Sequence, residues 1–481
     1  MLLRDILEDI EFMCYGDIDI EIDRISIDSN SNCKNALFVC LKGTNTDGHN
    51  YTEQAKLNGG VALVVEKKVK TSLPQIVVKD THSAISLIAR NFYKNKHRKV
   101  KYIGITGTNG KTTTSHILYS ILKTQGYRVG VIGTLGAYYN DEYLESNLTT
   151  PDPLILNKII ATMCDSGVEY IIMEVSAHAI HQKKVDSIKF DIGIFTNVSQ
   201  DHLDYFENMD KYSNVKCSFF SPLHLKSAIV NIDDNIGKKI VKCAKIPCIT
   251  YGIYNPSDVF AINIIHRIEQ TSFMLNLVDN CESITTSLIG NYNVYNIMAA
   301  STAAGLMGVS MQNIKKGIEN CKSVDGRVNV IRVKDYFVVI DFAHTPDGLK
   351  NVLSTIKNAC EGRVITIFGC GGNRDIDKRK LMGEQAEKYS HFTIITSDNP
   401  RYENPENIAL DVEKGFTKDN YIIEIDRKKA IEIGMSLCRK DDCLVICGKG
   451  GEKYQDINGT KVPYSDLEEV LKLKEKESYG K

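Results

Sequence analysis

The most informative segment of this chain is a glycine-rich loop, IGITGTNGKTTT, at residues 103–114. A short apolar run at 99–105 leads into the loop, and an amphipathic helix with apolar residues at 117, 118, 121 and 122 follows it. A strand, a glycine loop and a helix in this order present backbone N–H groups and a helix N-terminus to an anion. Lys111 adds a point charge, and the Thr112 hydroxyl can bind Mg²⁺. The sequence therefore predicts a nucleotide-binding loop, with a plain glycine-rich turn as the alternative.

The loop departs from the strict phosphate-loop pattern G-x-x-x-x-G-K-[ST], because Ile105 stands where that pattern requires glycine. The shorter T-G-T-N-G-K-T-T keeps the lysine and the hydroxyl residues together. We expect the nucleotide to contact a consecutive set of residues, namely Gly107, Thr108, Asn109, Gly110, Lys111, Thr112 and Thr113.

Length and composition bound the class of protein. A chain of 481 residues has room for about three domains, and 43% apolar with 25% charged residues is typical of a globular protein. A formal net charge of −1 argues against a nucleic-acid partner. No apolar run reaches the length of about 18 residues that a membrane span needs, and acids in the N-terminal MLLRDILEDIEF argue against a signal peptide. The 14 cysteines include no C-x-x-C pair, which is typical of reduced thiols and predicts a cytoplasmic location.

The alternation of apolar runs and helical stretches predicts an α/β protein of three domains. Residues 1–98 should form a small N-terminal α/β domain. Residues 99–325 should form a central domain of the phosphate-loop type with a mostly parallel sheet, and residues 326–481 a doubly wound α/β domain. In the third domain we expect strands at 337–341, 364–369, 392–396 and 443–447.

Two polar clusters follow apolar runs downstream of the loop. Glu174 ends one run in IIMEVSAHAIHQKKV, and Asn197, Asp201 and His202 follow another in IFTNVSQDHLDYF. A carboxylate at the carboxyl end of a parallel strand, near a phosphate loop, is well placed to hold Mg²⁺. Either cluster alone could be solvated surface, but two of them behind one nucleotide loop favour a metal site.

Together these motifs resemble those of the Mur ligase superfamily, whose members join amino acids to carboxylates in peptidoglycan precursors. G-T-N-G-K-T-T, E-V-S-A-H and T-N-V-S-Q-D-H-L-D match the superfamily motifs in order. The resemblance implies ATP and two Mg²⁺ ions, with Thr112 and Glu174 serving one ion and His202 the second. It also implies that Lys216, in Y-S-N-V-K-C, carries a carbamate formed from CO₂ and acts as a metal ligand.

The N-terminal segment ISIDSNSNCKNALFVCLKGTNTDGHNY resembles the uridine-binding domain of the ligases that act at the tripeptide-forming step. T-T-P-D at 149–152 and positions beyond Glu174 resemble segments that contact the sugar and peptide of that substrate. The residues that the resemblance assigns to the UDP-N-acetylmuramoyl dipeptide are Ser29, Lys42, Gly43, His49, Thr149, Thr150, Ser176, Gln182 and Lys184. Three positions depart from the family, since Asn30 and Lys184 replace arginine and Ala177 replaces serine.

Three later segments resemble superfamily elements that hold ATP. They are G-N-Y-N at 290–293, D-G-R at 325–327 and DFAHTPDGL, which contains His344. Asn293 should contact ATP, and Arg327 should reach over the phosphates and stabilise developing charge, although a D-G-R turn can also be only an interdomain hinge. The resemblance thus implies four catalytic residues: Lys111, Lys216, Arg327 and His344.

The C-terminal region contains the residues that indicate which amino acid is the substrate. SDNPRYENP places residues 398–401 in a turn after a strand, where Arg401 could bind a substrate carboxylate, although the turn could be purely structural. D-N-P-R resembles the signature of the MurE-type ligases, which add meso-diaminopimelate, whereas lysine-adding relatives usually lack the arginine. The residues assigned to diaminopimelate are Arg374, Asp398, Asn399, Pro400, Arg401, Gly448 and Glu452. Gly451 breaks the family's G-K-G-H-E.

These resemblances lead to one functional hypothesis. The protein should be a monomeric, ATP-dependent ligase that joins meso-diaminopimelate to UDP-N-acetylmuramoyl-L-alanyl-D-glutamate through an acyl phosphate. A lysine-adding or folylpolyglutamate-type ligase would fit the ATP motifs but not Arg401 or the uridine-like domain. A non-catalytic nucleotide-binding protein would fit the loop but would not need Glu174, His202 and Lys216 together.

Overall fold

The computed structural model describes residues 1–43, 46–95, 98–144, 146, 148–278, 280–322 and 328–479. The D-G-R turn, and with it the predicted role of Arg327, lies outside the described residues. Within these ranges no helix is both long and apolar enough to cross a membrane. The described strands form three large sheets and one hairpin, which confirms the α/β class and the three-domain architecture. The boundaries near 98 and 325 stay predictions.

The first sheet belongs to the N-terminal region. Its elements in chain order are α1 (Leu3–Ile6), β1 (Met13–Tyr15), β2 (Arg24–Ser26), β3 (Ala36–Val39), a 3₁₀ helix (Gly48–Tyr51), α2 (Thr52–Leu57), β4 (Gly60–Val65), β5 (Gln75–Val77) and α3 (Thr81–Phe92). The strand order is β1-β5-β4-β3-β2, in which only β1 runs antiparallel to its neighbour.

The second sheet is the largest and has 11 strands. Its elements in chain order are β6 (Lys101–Thr106), α4 (Lys111–Gln125), β7 (Val129–Gly133), β8 (Gly136–Tyr139), β9 (Glu142–Leu144), α5 (Pro153–Asp165), β10 (Tyr170–Glu174), α6 (Ala177–His181), β11 (Phe190–Phe195), α7 (Leu203–Phe206), α8 (Met209–Ser218), β12 (Leu225–Asn231), α9 (Asn235–Cys243), β13 (Cys248–Gly252), β14 (Val259–His266), β15 (Thr271–Leu277), β16 (Asn280–Thr286), α10 (Asn291–Leu306) and α11 (Met311–Asn320). The strand order is β16-β15-β14-β13-β12-β11-β6-β10-β7-β8-β9. The strands from β14 to β7 in this order run parallel, and antiparallel strands extend the sheet at both ends.

The third sheet has six strands, five of them parallel, and a hairpin follows it. Its elements in chain order are β17 (Asn329–Val333), β18 (Tyr336–Asp341), α12 (Pro346–Ala359), β19 (Val364–Phe368), α13 (Asp377–Tyr389), β20 (Phe392–Ile395), α14 (Pro405–Glu413), β21 (Tyr421–Ile423), α15 (Arg427–Leu437), β22 (Cys443–Cys447), β23 (Tyr454–Ile457), β24 (Thr460–Pro463) and α16 (Asp466–Tyr479). The strand order is β17-β18-β22-β19-β20-β21, and β23 pairs with β24.

The register of the central sheet positions the functional loops. β6 lies between β10 and β11, with Glu174 opposite Ile105 and Phe195 opposite Thr106. The segments that follow these three parallel strands therefore leave the sheet at one edge. α4 covers one face of this region with four fully buried apolar residues, Ile117, Leu118, Ile121 and Leu122. Each such side chain contributes about 1.5–3 kcal/mol on burial, so the helix that begins at the loop is firmly anchored.

Candidate active site

The glycine loop joins β6 to α4 and lies tightly against two neighbouring elements. Gly110 has a φ of +88°, and a Cβ there would collide with the Asn296 side chain of α10. A Cβ at Gly107 would collide with the Thr196 hydroxyl just after β11. Both positions therefore require glycine, because only a residue without a side chain allows this close approach.

Hydrogen bonds hold the loop in one shape. The Lys111 Nζ donates to the carbonyl oxygens of Gly107 at 2.9 Å and Thr108 at 2.8 Å. The Asn197 side chain accepts from the Asn109 N–H at 3.0 Å and donates to the Asn109 carbonyl at 3.1 Å. These bonds hold the loop N–H groups and the Lys111 ammonium together at the N-terminus of α4, which is the arrangement that an anion cradle needs.

Thr112 and Glu174 meet at the base of the loop. Glu174 is 1% exposed, and its carboxylate accepts hydrogen bonds from the Thr112 hydroxyl at 3.0 Å, the Thr134 hydroxyl at 3.0 Å and the Thr134 N–H at 3.1 Å. Carboxylate and hydroxyl oxygens are ligands that Mg²⁺ prefers, so this pair fits the ion. No group of three or more His, Cys, Asp or Glu in the described part of the chain is arranged to hold a metal. Water and phosphate oxygens would complete the coordination, as is usual for Mg²⁺.

Lys216 is a buried lysine on α8 near this loop. It is 1% exposed, and its Nζ lies 4.7 Å from the centroid of the Tyr212 ring. Within the ranges that the structure describes, its Nζ makes no hydrogen bond or ion pair. Burial lowers the pKa of Lys216 well below its usual value, and the charge of Lys111 lowers it further. The side chain is therefore biased toward the neutral amine, which is the nucleophilic form.

Asp201 and His202 bring together charges from two domains. The His202 Nε2 lies 3.4 Å from the Asp201 carboxylate, and His202 has a left-handed backbone with a φ of +56°. Burial lowers the pKa of His202, which favours the neutral imidazole that binds metals. Burial alone would raise the pKa of Asp201, but the charges of His202 and of His344 in the C-terminal domain hold it below its usual value. The loop that contains Asp201 and His202 therefore lies in the central domain and faces the C-terminal domain.

A cavity of about 660 Å³ opens between the glycine loop and the C-terminal domain. Its lining includes Asn109 and Gly110 of the loop, Asn293 and Asn296 of α10, and His344 after β18. The Asn296 amide donates to the Asn293 side-chain oxygen at 3.1 Å, which orients both amides. The volume lies in the range of small-molecule sites, so the cavity can accept the rest of a nucleotide whose phosphates rest on the loop.

Asp233 lines the same cavity and ties its wall together. Its carboxylate accepts from the Tyr295 hydroxyl at 2.6 Å and from the Tyr254 N–H at 3.0 Å. Burial raises the pKa of Asp233, but these hydrogen bonds outweigh that effect and hold the pKa below its usual value. The charged carboxylate thus connects α10 to the segment after β13.

Some of the residues predicted to bind the UDP dipeptide adjoin Glu174. The Thr150 hydroxyl donates to the Glu174 carbonyl at 2.8 Å and accepts from the Ser176 N–H at 3.0 Å. The Thr149 hydroxyl lies 3.1 Å from that of Thr134, which itself bonds Glu174. These three predicted residues therefore lie beside the candidate metal site.

A second group lies where the N-terminal and central domains meet. Gln182 and Lys184 line a cavity of about 70 Å³ together with His82, and the His82 ring bonds the Lys42 carbonyl at 3.1 Å. Lys184 pairs with Asp152 at 2.6 Å.

The remaining three residues of this set lie in the N-terminal domain. Gly43 follows Lys42 and donates from its N–H to Thr46. The His49 ring bonds Asp47 at 2.6 Å and accepts from the Glu66 N–H, which is a structural arrangement. Among the described residues no hydrogen bond connects the buried Ser29 with the other predicted binding residues.

The predicted amino-acid pocket brings three C-terminal segments together. The Asn399 amide donates to the Glu452 carboxylate at 2.9 Å. A Cβ at Gly448, which has a φ of +112°, would collide with the Asp398 carboxylate. Arg401 donates to the Gly372 carbonyl at 2.6 Å. The buried Pro400 lies within the same turn, and Arg374 lies two residues beyond Gly372 on the chain.

Two residues of these sites were not predicted from the sequence. Thr134 holds the Glu174 carboxylate by two hydrogen bonds, and Lys449 is a fully buried cation between Asn399 and Glu452. Lys449 could have been noticed, because a lysine two residues after the apolar strand 443–447 is rarely buried unless it is paired. Thr134 gave no comparable signal.

Three protein-family models match successive parts of the chain. They are described as the Mur ligase family catalytic domain at 21–103, the Mur ligase middle domain at 105–304, and the Mur ligase glutamate ligase domain at 326–450. A relative from Clostridium acetobutylicum, named UDP-N-acetylmuramoyl-L-alanyl-D-glutamate--2,6-diaminopimelate ligase 1, is 40% identical over 98% of both chains. A Bacillus cereus relative named as a ligase of the same kind is 40% identical over 94% of both chains.

Solved structures agree with these sequence matches. A structure named UDP-N-acetylmuramoyl-L-alanyl-D-glutamate--2,6-diaminopimelate ligase is 29% identical and superposes with a TM-score of 0.73, covering 100% of this chain and 99% of that one. A MurF ligase from Thermotoga maritima in complex with ADP shares the fold, with a TM-score of 0.65 at 19% identity over 94% of this chain and 97% of that one. On the near full-length similarity at 40% identity, this chain belongs to the Mur ligase family.

Proposed function

We propose that this protein is the ATP-dependent ligase that joins meso-2,6-diaminopimelate to the D-glutamyl carboxylate of UDP-N-acetylmuramoyl-L-alanyl-D-glutamate. The observation that carries the proposal is the 40% identity, over 98% of both chains, to a relative named for this reaction. The lysine-adding and folylpolyglutamate alternatives are not favoured, because the curated relatives are named for diaminopimelate.

The first half of the reaction is a phosphoryl transfer. The loop N–H groups and the Lys111 ammonium would bind the ATP phosphates at the N-terminus of α4. A carboxylate oxygen of the substrate attacks the γ-phosphorus, the bond to the β-phosphate oxygen breaks, and an acyl phosphate and ADP result. Thr112 and Glu174 would hold Mg²⁺, which neutralises phosphate charge when it is bound. Arg327 is proposed to stabilise the charge that develops during transfer.

The second half forms the amide bond. The neutral amine of diaminopimelate attacks the acyl carbon, a tetrahedral intermediate forms, and it expels inorganic phosphate while the nitrogen loses a proton. The proposed amino-acid site includes Arg374, Asn399, Arg401 and Glu452. It therefore offers the substrate two guanidinium groups and one carboxylate. A substrate with both a distal ammonium and a distal carboxylate satisfies these groups, whereas lysine would leave a guanidinium without its carboxylate.

Lys216 is proposed to carry a carbamate. Its amine is buried, is biased toward the neutral form and has no carboxylate partner among the described residues. Addition of CO₂ to the amine forms an N–C bond and releases one proton. The product is a carbamate, whose anionic oxygens can bind a metal ion. With His202, this group would serve the second Mg²⁺.

The other assignments complete the proposal. His344 and Asn293 line the cavity beside the loop, which supports roles at the bound nucleotide. Thr149, Thr150 and Ser176 lie beside Glu174, which supports binding of the dipeptide end of the UDP substrate there. A monomeric state and a cytoplasmic location are proposed together with this function.

A charge-removing variant of the loop tests the proposal. Lys111→Ala should abolish formation of the UDP-tripeptide product, measured by mass spectrometry, while the protein still unfolds in one cooperative thermal transition. Lys123→Ala is the matched control, because Lys123 lies in the last turn of the same helix and pairs with the exposed Asp141 at 3.2 Å. Full ligase activity in Lys111→Ala would overturn the assignment of the loop.

A further inference from the structure

A buried cation, Lys449, lies inside the proposed amino-acid pocket, and no step described above uses it. Lys449 follows β22 and is 0% exposed. Its Nζ donates to the Asn399 side-chain oxygen at 3.0 Å and pairs with the Glu452 carboxylate at 2.9 Å. A buried ammonium is tolerated only when it is paired in this way, so the three side chains form one electrostatic unit.

The contacts fix the orientation of the Asn399 amide. Its oxygen accepts from the Lys449 ammonium and also from the Asp456 N–H at 2.9 Å. A flipped amide would place its NH₂ group against two donors and leave both of them unsatisfied. The NH₂ group of Asn399 is therefore held toward Glu452, to which it donates at 2.9 Å.

The same contacts decide which oxygen Glu452 presents. Its Oε2 accepts from both Asn399 and Lys449, while its Oε1 accepts no hydrogen bond from any residue that the structure describes. The Glu452 side chain is 26% exposed, so the pocket can be entered from solvent on this side. One oxygen is committed to the protein, and the other is left for a ligand.

We propose that Lys449 is a positioning residue for the amino-acid substrate, because it locks Asn399 and Glu452 so that Glu452 Oε1 meets the substrate ammonium. Lys449 does not touch the substrate and acts through these two side chains. The inference rests on the proposed function, since it concerns the second substrate of that reaction.

The test is a comparison of Michaelis constants. Lys449→Met keeps an unbranched side chain of similar length but removes the charge, and it should raise the KM for diaminopimelate by about tenfold to a hundredfold, the usual effect of losing a hydrogen bond to a charged group. The KM for ATP, and kcat at saturating amino acid, should stay within about twofold, because the loop site is untouched. Lys453→Met is the matched control, since Lys453 lies four residues along and is exposed.

A double-mutant cycle separates positioning from folding. Lys449→Met leaves a carboxylate without its partner, and Lys449→Met with Glu452→Gln removes that charge and should fold even if the single variant does not. If Lys449 acts through Glu452, the substitution Lys449→Met should raise the KM for the amino acid less in the Glu452→Gln background than in the wild type. Additive effects, an unchanged KM in Lys449→Met, or a parallel rise in the KM for ATP would overturn the inference.

The same experiment separates this inference from the proposed function. The wild type is assayed first with diaminopimelate and with L-lysine, and the comparison is made on whichever amino acid it uses. Use of lysine alone overturns the proposed substrate but leaves Lys449 to be judged by the KM comparison. Absence of turnover with either amino acid overturns both.

Discussion

The substitution Glu174→Gln probes the candidate metal site with little change of shape. Glu174 is 1% exposed and accepts three hydrogen bonds, from the hydroxyls of Thr112 and Thr134 and from the Thr134 N–H. Glutamine keeps the volume and one acceptor oxygen but carries no charge. We expect that the variant folds and that it loses activity.

The magnitude follows from these contacts. The glutamine oxygen can still accept from the Thr134 N–H, and both threonine hydroxyls can rotate to accept from the new NH₂ group, so the loss of stability should be only about 1 kcal/mol. Catalysis is affected more, because the neutral amide is a poor ligand for Mg²⁺ beside the phosphate loop. We expect kcat/KM to fall by at least about a hundredfold, or about 2.7 kcal/mol in the barrier, with a higher Mg²⁺ requirement.

The assay is phosphate release over a Mg²⁺ titration, together with denaturant unfolding of each variant. Glu169→Gln serves as the control, because Glu169 lies just before the same strand, is 43% exposed and pairs with Arg128 at 3.5 Å. A Glu174→Gln variant with wild-type kcat/KM and an unchanged Mg²⁺ requirement would refute the metal assignment. A loss of stability far above 1 kcal/mol would refute the hydrogen-bond argument.

Three further predictions concern stability, pH and the buried lysine. Arg427→Met should destabilise the fold by about 3–5 kcal/mol in denaturant unfolding, because it leaves the fully buried Asp466 carboxylate unpaired; adding Asp466→Asn should recover part of the loss. Asp233 has a folded-state pKa below its unfolded value, so its stabilisation is complete above about pH 4 and is lost as the pH falls through the folded pKa. Asp233→Asn should therefore flatten the acid side of the stability profile, and an unchanged profile would contradict this. Protein exchanged into ¹³C-bicarbonate should show a carbamate carbon resonance that is missing in Lys216→Arg; its absence from the wild type would contradict the carbamate proposal.

Much of this fold and of the candidate site could be predicted from local sequence. The glycine loop could be predicted because its pattern acts within a dozen residues, and the strand predicted at 443–447 coincides with β22 (Cys443–Cys447). The position of Glu174 beside the loop followed from the rule that parallel strands end at one edge, and the register of β10 against β6 bears it out.

Other features depend on tertiary structure and gave no local signal. The partnership of Thr134 with Glu174 spans 40 residues, and that of Lys449 with Asn399 spans 50, so both depend on the strand order of their sheets. The antiparallel pairing of β15 with β14 and of β16 with β15 at one end of the central sheet was also not foreseen, because a strand's neighbours are set by the whole sheet and not by its own residues.

We propose that this ligase selects diaminopimelate through the pocket around Arg401. The most direct measurement is phosphate release from ATP with UDP-N-acetylmuramoyl-L-alanyl-D-glutamate, with meso-diaminopimelate and L-lysine added in parallel, for the wild type and Arg401→Ala. We expect wild-type turnover with diaminopimelate only, and loss of that preference in Arg401→Ala. Wild-type turnover with lysine, or no turnover with either amino acid, would contradict it.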